Sequence, residues 1–516
     1  MDGETVDGET VNGGAPNGNG ADDWSAIESL PRQKLEELFA SDPDRLDRLC
    51  VDVAGMHFDW SKTHLTPDAV AAFEALAGRR DLAGRRDAMF ASAHINVTED
   101  RPVEHTAERY EGAPGAVAAA KKYHERMRTL IDAIEAGALG DIRYVLHTGI
   151  GGSALGPNLL VDALGRDASR YEVAIVANVD GVGMQDVFDR FDPHATLLVV
   201  ASKTFTTTET ILNAESAVQW MQEAGVEDPY GRVVALTASP DKAIEWGVDE
   251  TRVLPFGEGV GGRYSLWSSI GFPAAIKLGW AAFEELLEGA AEMDRHFRLT
   301  ALHQNAPALA GFADVYYTQV RRAETRATFA YDERLRLLPP YLQQLEMESN
   351  GKSVTVSGEP LTRPSTAITW GGVGTEAQHA VFQLLHQGTH LVPVEFVAVI
   401  EAGDDLNPEH HRQLLLNAFA QGAALMKGKH VDDPARSYPG DRPTSTVLLD
   451  VLDPRTLGAL IAFYEHRVFV AGTLLQINSF DQFGVELGKE MAKAAAKGGG
   501  EFDPSTTDLI RRAGLD

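Results

Sequence analysis

The chain has 516 residues, 44% of them apolar, which is too many for one ordinary domain and enough for two sizeable cores. A formal net charge of −29 argues against a generic nucleic-acid-binding surface, which needs clustered Lys and Arg, and serves solubility instead. One cysteine, Cys50, allows no intramolecular disulfide, fits a reducing, cytoplasmic compartment, and reads as a buried apolar thiol.

Residues 1–23 are almost all Gly, Asp, Glu, Asn and small side chains. Such a segment buries too little apolar area to offset its ordering entropy, so a disordered acidic tail is expected. It has neither the basic patch nor the apolar stretch of a signal peptide. No apolar run in the chain approaches the ~20 residues of a membrane helix. From 24 to 127 the texture is helical. Within Pro31–Cys50, Leu35, Leu38, Phe39, Leu46 and Leu49 recur near the helical period.

Beyond this region β-rich runs alternate with Gly- or Ser/Thr-rich loops and amphipathic stretches. Strands are predicted at Ile142–His147, Glu172–Ala177, Thr196–Ala201, Ala327–Tyr331, Ala367–Trp370 and Leu391–Ile400. Helices are predicted from Leu155, through Trp220, and over Pro340–Lys352 and Thr375–His386. The alternation predicts an α/β chain with parallel sheets covered on both faces. Two clusters of strands predict two α/β domains, 128–279 and 280–516, with the boundary near Gly279 and C-terminal helices in the second. In open α/β sheets ligands bind at the carboxyl ends of strands, where the loops between these elements fall.

The chemistry-bearing residues lie in those loops. Ser202–Thr207 (SKTFTT) places four hydroxyls and an ammonium between an apolar strand and a helix. Helix N-termini bind anions, so this reads as a phosphate site; the alternative is N-capping, which needs one hydroxyl rather than four. Gly149–Ser153 allows close approach of a ligand to the backbone, or makes only a tight strand–helix turn. It is not the dinucleotide fingerprint. Gln344 and Glu348 share a helix face, where the carboxylate is either a base or part of a solvated helix end closed by Gly351. Gln482, Glu486 and Lys489 follow the helical spacing of a shared face, which is either exposed or functional. His379 and His386 are also placed on one face, as structural histidines or with His386 reaching a cleft. Arg263, after a Gly pair, either stabilises an oxyanion or phosphate or makes a surface salt bridge.

In this order the segments resemble the glucose-6-phosphate isomerase family. The matching stretches are Asp59–Lys62, Ile95–Glu99, Gly149–Pro157, Ser202–Thr210, Gly262–Trp267, Met347–Lys352, His386–Thr389, Asp481–Lys489 and Ser505–Thr507. They span nearly the whole chain outside the acidic tail. SKTFTT, GGRYSLW, MESNGK and the DQ-x-GVELGK run are specific in combination. Ala154 departs from the family pattern, where many members have Asp, and Glu376 stands in place of an Asn.

The resemblance implies two doubly wound sugar-isomerase (SIS-type) domains with helical N- and C-terminal extensions, the region 24–127 packing on the second domain. It implies a sugar-phosphate substrate, no cofactor and no metal, and a homodimer whose active sites draw on both subunits. Ser153, Ser202, Thr204 and Thr207 then hold the phosphate, with the backbones of Gly152 and Lys203. Glu348 is similar to the family's base, Arg263 to the cation beside the enediolate, and His386 and Lys489 to the ring-opening pair. Gln344 and Gln482 contact the substrate, and Glu209 orients His386. The rival readings are a non-catalytic SIS-domain regulator and an isomerase that also accepts mannose 6-phosphate.

Overall fold

In a computed structural model that describes residues 24–515 apart from 169 and 498, the chain forms two sheets. The expected tail at 1–23 lies outside the described residues. The strands are β1 (Cys50–Val53), β2 (Met56–Asp59), β3 (Tyr144–Gly149), β4 (Glu172–Val176), β5 (Thr196–Ala201), β6 (Val233–Thr237), β7 (Val253–Pro255), β8 (Thr325–Tyr331), β9 (Ile368–Val373), β10 (Val394–Val399) and β11 (Thr444–Leu449).

The first sheet runs β4-β3-β5-β6-β7 and is parallel throughout. Its strands are apolar without alternation because both faces are covered; every residue of β5, TLLVVA, is buried. The second sheet runs β1-β2-β11-β10-β8-β9. Its last four strands are parallel, and the β1–β2 hairpin joins them antiparallel through β2 and β11. The mixed α/β fold with parallel sheets is the class expected from the sequence.

The region 24–127 is not wholly helical, since it supplies this hairpin. Ala54 and Gly55 between its strands both take positive φ, 52° and 69°, as a tight type I′ turn requires. The predicted helix over Pro31–Cys50 divides into Leu35–Ser41 and Arg45–Leu49, and Cys50 opens β1. Pro43 disfavours helical backbone in the residue before it, and Asp42 sits at φ −128°, ψ 83°. Cys50 is half-buried, and desolvation with nearby Asp59 pushes its thiol up to about 12.

The predicted helix Thr375–His386 is likewise two short helices, Gly374–Gln378 and Phe382–Gln387, with Val381 at φ −124° between them. His379 and His386 therefore do not share one helix face. The break lets Ala377, Phe382 and Leu385 all enter the same apolar cluster.

The helix Pro454–Leu474 is buried from Thr456 to its end. It packs along Trp280–Leu299 so closely that a Cβ on Gly458 would lie 2.0 Å from the Leu286 carbonyl oxygen. One apolar cluster takes side chains from this helix and from both sheets, among them Leu197, Val234, Val397 and Val447. Three consecutive polar residues of the helix are each paired. Glu465 accepts from Arg109 and from Trp267 Nε1, His466 Nε2 lies 2.6 Å from Asp294, and Arg467 binds Asp314 and Glu395. No described helix is long and apolar enough to cross a membrane.

Candidate active site

The site begins where β5 ends. Ser202 N–H continues the strand by donating to the Leu236 carbonyl at 3.0 Å. Phe205 takes a positive φ of 52°, is buried, and sets its ring edge-on to Trp246. That anchor turns the loop over. The helix Thr208–Glu223 then starts, with Thr207 at the N-cap position but without a side-chain capping bond. Thr207 Oγ1 instead lies 3.0 Å from Ser202 Oγ, and Thr204 Oγ1 lies 2.9 Å from Thr206 Oγ1. The hydroxyls are thus not consumed by capping, and they stand beside the unsatisfied N–H groups of a helix start, an arrangement suited to an anion.

The second loop follows β3. Gly151 has φ +58°, and a Cβ on Gly152 would come 2.1 Å from the Gly262 carbonyl. Gly152 is required because the Gly262 loop crosses it, so this is more than a tight turn. His147, wholly buried on β3, sets Nε2 2.8 Å from the Ser153 carbonyl oxygen. Burial lowers its imidazole to about 4, which keeps the ring neutral and makes Nε2–H the donor.

Glu348 sits near the end of the helix Leu338–Asn350, which starts with Pro339 and Pro340 in its first turn. Gln344 Nε2 donates to Glu348 Oε2 at 2.9 Å, and an Arg263 terminal nitrogen lies 3.5 Å from the same oxygen. Gly351 is not a left-handed cap, having φ −77°. Lys352 ties the helix end to Asp481, with Nζ 2.7 Å from its carboxylate.

Arg263 is not a surface side chain; it is 2% exposed. Its guanidinium donates to Ser349 Oγ at 2.6 Å, Gln482 Oε1 at 3.2 Å, and the carbonyls of Ser479 at 2.5 Å and Asp481 at 3.1 Å. Four acceptors in different directions fix the plane of the cation beside Glu348.

These residues meet in one open cleft of about 720 Å³. Gly152, Ser153, Ser202, Lys203, Thr204, Thr207, Glu209, Gln344, Glu348, Gln482 and Lys489 line it, and Arg263 reaches it through Glu348 and Gln482. Gln482 precedes the helix Glu486–Ala496 rather than lying on it, while Glu486 and Lys489 project from that helix into the cleft. His386 is elsewhere. Its Nε2 lies 2.9 Å from Gln421 Oε1 and its ring is edge-on to Tyr438, so it does not line the cleft that Glu209 lines. Sequence reasoning gave no role to Glu99 and Arg101, which pair at 3.2 Å and line the same cleft. Their segment was visible only as part of a family motif.

Hydroxyls gathered at a helix start and a carboxylate held against a buried guanidinium, set among parallel α/β units, suit an enzyme that moves protons on phosphorylated substrates. A model of the phosphoglucose isomerase family matches residues 59–510, and the chain belongs to that family. It is 67% identical over 491 residues to a glucose-6-phosphate isomerase of Rhizorhabdus wittichii, covering 95% of this chain and 98% of the relative. A glucose-6-phosphate isomerase of Zymomonas mobilis is 62% identical over 492 residues, with 95% and 97% covered. The crystal structure of a glucose-6-phosphate isomerase from Chlamydia trachomatis superposes with a TM-score of 0.86 at 30% identity, covering 96% of this chain and 98% of that one.

Proposed function

We infer that the chain interconverts glucose 6-phosphate and fructose 6-phosphate, an aldose–ketose isomerisation of glycolysis and gluconeogenesis. The observation that carries the reading is Glu348, fixed between Gln344 and Arg263 in the same cleft as the Ser202–Thr207 hydroxyls.

Each side chain has a task in that reaction. Ser153, Ser202, Thr204 and Thr207 bind the phosphate with the backbone N–H groups of Gly152 and Lys203. Binding there, away from the reacting carbons, anchors the sugar and supplies orientation. Lys489 and His386 open the ring by proton transfer at O5 and O1. Glu348 then moves a proton between C2 and C1 through a cis-enediol. A C–H beside a carbonyl is a weak acid, and the fixed charge of Arg263 stabilises the enediolate that forms. Gln344 and Gln482 contact the substrate. The steps draw on the chain's own side chains and on no cofactor.

The working unit in this reading is a homodimer, with His386 delivered into the neighbouring subunit's cleft and oriented there by Glu209. Its support is the position of His386 away from its own chain's cleft. Two domains, 128–279 and 280–516, are supported by the two separate sheets, the second of which also takes in the hairpin of residues 50–59. A cytoplasmic location is supported by the lone free thiol. The test is a coupled assay of the purified protein with fructose 6-phosphate. Formation of glucose 6-phosphate is expected; binding of the sugar phosphate without turnover would establish the non-catalytic reading instead.

A further inference from the structure

We propose that the side chain of Lys203 is a positioning residue for Arg263, fastening the hydroxyl-rich loop to the loop that carries the guanidinium. The proposal deepens the isomerase reading and rests on it for its catalytic consequence.

Lys203 is pinned at both ends. Its backbone carbonyl accepts from Ala238 N–H at 3.0 Å and from Thr237 Oγ1 at 3.1 Å, at the end of β6. Its Nζ donates to the carbonyls of Glu258 at 2.8 Å and Val260 at 2.9 Å. Those two carbonyls belong to the segment that runs through Gly261 and Gly262 directly into Arg263. Lys203 is therefore a strut between two loops of one cleft.

The segment is also held by the buried Val260 side chain and, nearer Arg263, by Tyr264 N–H on the Gly261 carbonyl at 3.0 Å and Ser265 Oγ on the Gly262 carbonyl at 2.6 Å, but between 257 and 260 its other backbone ties are two. Glu104 N–H donates to the Gly259 carbonyl at 3.1 Å, and Val260 N–H closes a turn on Gly257 at 3.1 Å. Glycines at 257, 259, 261 and 262 give the backbone little stiffness of its own. Without the Lys203 donors the carbonyls of Glu258 and Val260 lose their partner, and the approach to Arg263 loosens. Displacement of a catalytic group by about 1 Å can cost roughly a hundredfold in rate.

Burial, with Arg101 adding to it, lowers the Lys203 amine to about 8, while Glu99 and Glu258 oppose that fall.

The test uses full-length Lys203→Met and Lys203→Arg. It measures kcat and KM for fructose 6-phosphate, titrates inorganic phosphate, and follows hydrogen–deuterium exchange over residues 257–267. The expected result for Lys203→Met is a kcat lowered about 10–100-fold. Phosphate affinity should change by less than about threefold, within the context dependence of one neutralised contact, and exchange over 257–267 should quicken. Lys203→Arg keeps donors for both carbonyls and should recover most of kcat and of the protection. Two results overturn the proposal. One is a tenfold or greater loss of phosphate affinity with kcat and protection intact, which would make Lys203 a direct phosphate ligand. The other is unchanged kcat and protection. An inactive wild type would sink the isomerase reading alone, because the exchange measurement still decides whether Lys203 holds the loop.

Discussion

Glu348→Gln isolates the proton-transfer step. The substitution keeps the side chain's volume and leaves an acyl oxygen to accept from Gln344, so the 2.9 Å hydrogen bond on that helix face is retained. Arg263 loses the charge 3.5 Å away but keeps its acceptors on Ser349, Gln482, Ser479 and Asp481. The fold and the phosphate cradle should therefore persist. What disappears is the carboxylate proposed as the base. Positioned general-base catalysis is worth about 10²–10⁴-fold, or about 3–5 kcal/mol of barrier. Two assays read the loss: the coupled turnover assay, and incorporation of solvent deuterium at C2 of the glucose 6-phosphate formed, which vanishes if no group takes the proton from C1. Titration with inorganic phosphate should give the wild-type affinity. Turnover within tenfold of wild type, with deuterium still entering C2, would remove Glu348 from the role.

The remaining predictions address the cradle, the buried charges and the dimer. Thr207→Ala removes a hydroxyl that caps nothing, so the unfolding temperature should hold while phosphate binding weakens by about 1.5–3 kcal/mol; a lowered melting point with unchanged affinity would return the hydroxyl to a helix-end role. Glu395 is pushed up from 4.5 to about 7 by burial, so between those values the folded state holds a proton that the unfolded chain has released, and stability falls as pH rises through that window. Glu395→Gln removes this share, with the Tyr464 hydroxyl turning to accept from the amide; its melting temperature should fall less than wild type's between pH 5 and 8, and identical falls would contradict the assignment. Mixing inactive His386→Ala and Glu348→Gln subunits should restore activity to roughly a quarter of wild-type sites, because each hybrid dimer would hold one complete site. Verified subunit exchange with no recovery would place both residues in one chain's site.

The parts of the fold that could be read from sequence were those whose signal is local. β5 is a continuous apolar run because both its faces are covered, and its predicted bounds, Thr196–Ala201, coincide with the structure. SKTFTT stood out through its hydroxyl density at a strand–helix junction, and Ser202, Lys203, Thr204 and Thr207 all line the cleft. The β1–β2 hairpin was hidden because its strands have four residues each and lie between helices, and what makes them strands is pairing with the distant β11. The break near Val381 was also hidden, since an apolar pattern of helical spacing does not show where two short helices part to feed one cluster. Arg263 looked equally like a surface salt bridge, because its acceptors at 479, 481 and 482 lie far along the chain. The Lys203 tie was invisible for the same reason: backbone carbonyls leave no trace in side-chain composition.

The hairpin also sets an order of assembly during synthesis. Residues 50–59 leave the ribosome long before Thr444–Leu449, the strand against which β2 must pair. Until then β2 has an unpaired edge, and Met56 and Phe58, buried in the finished protein, have no wall to close against. The second sheet cannot be completed from the N-terminus forward, as folding one domain at a time during translation would allow. Such pairing at long sequence separation is slow, and that edge has no partner until most of the polypeptide has been made.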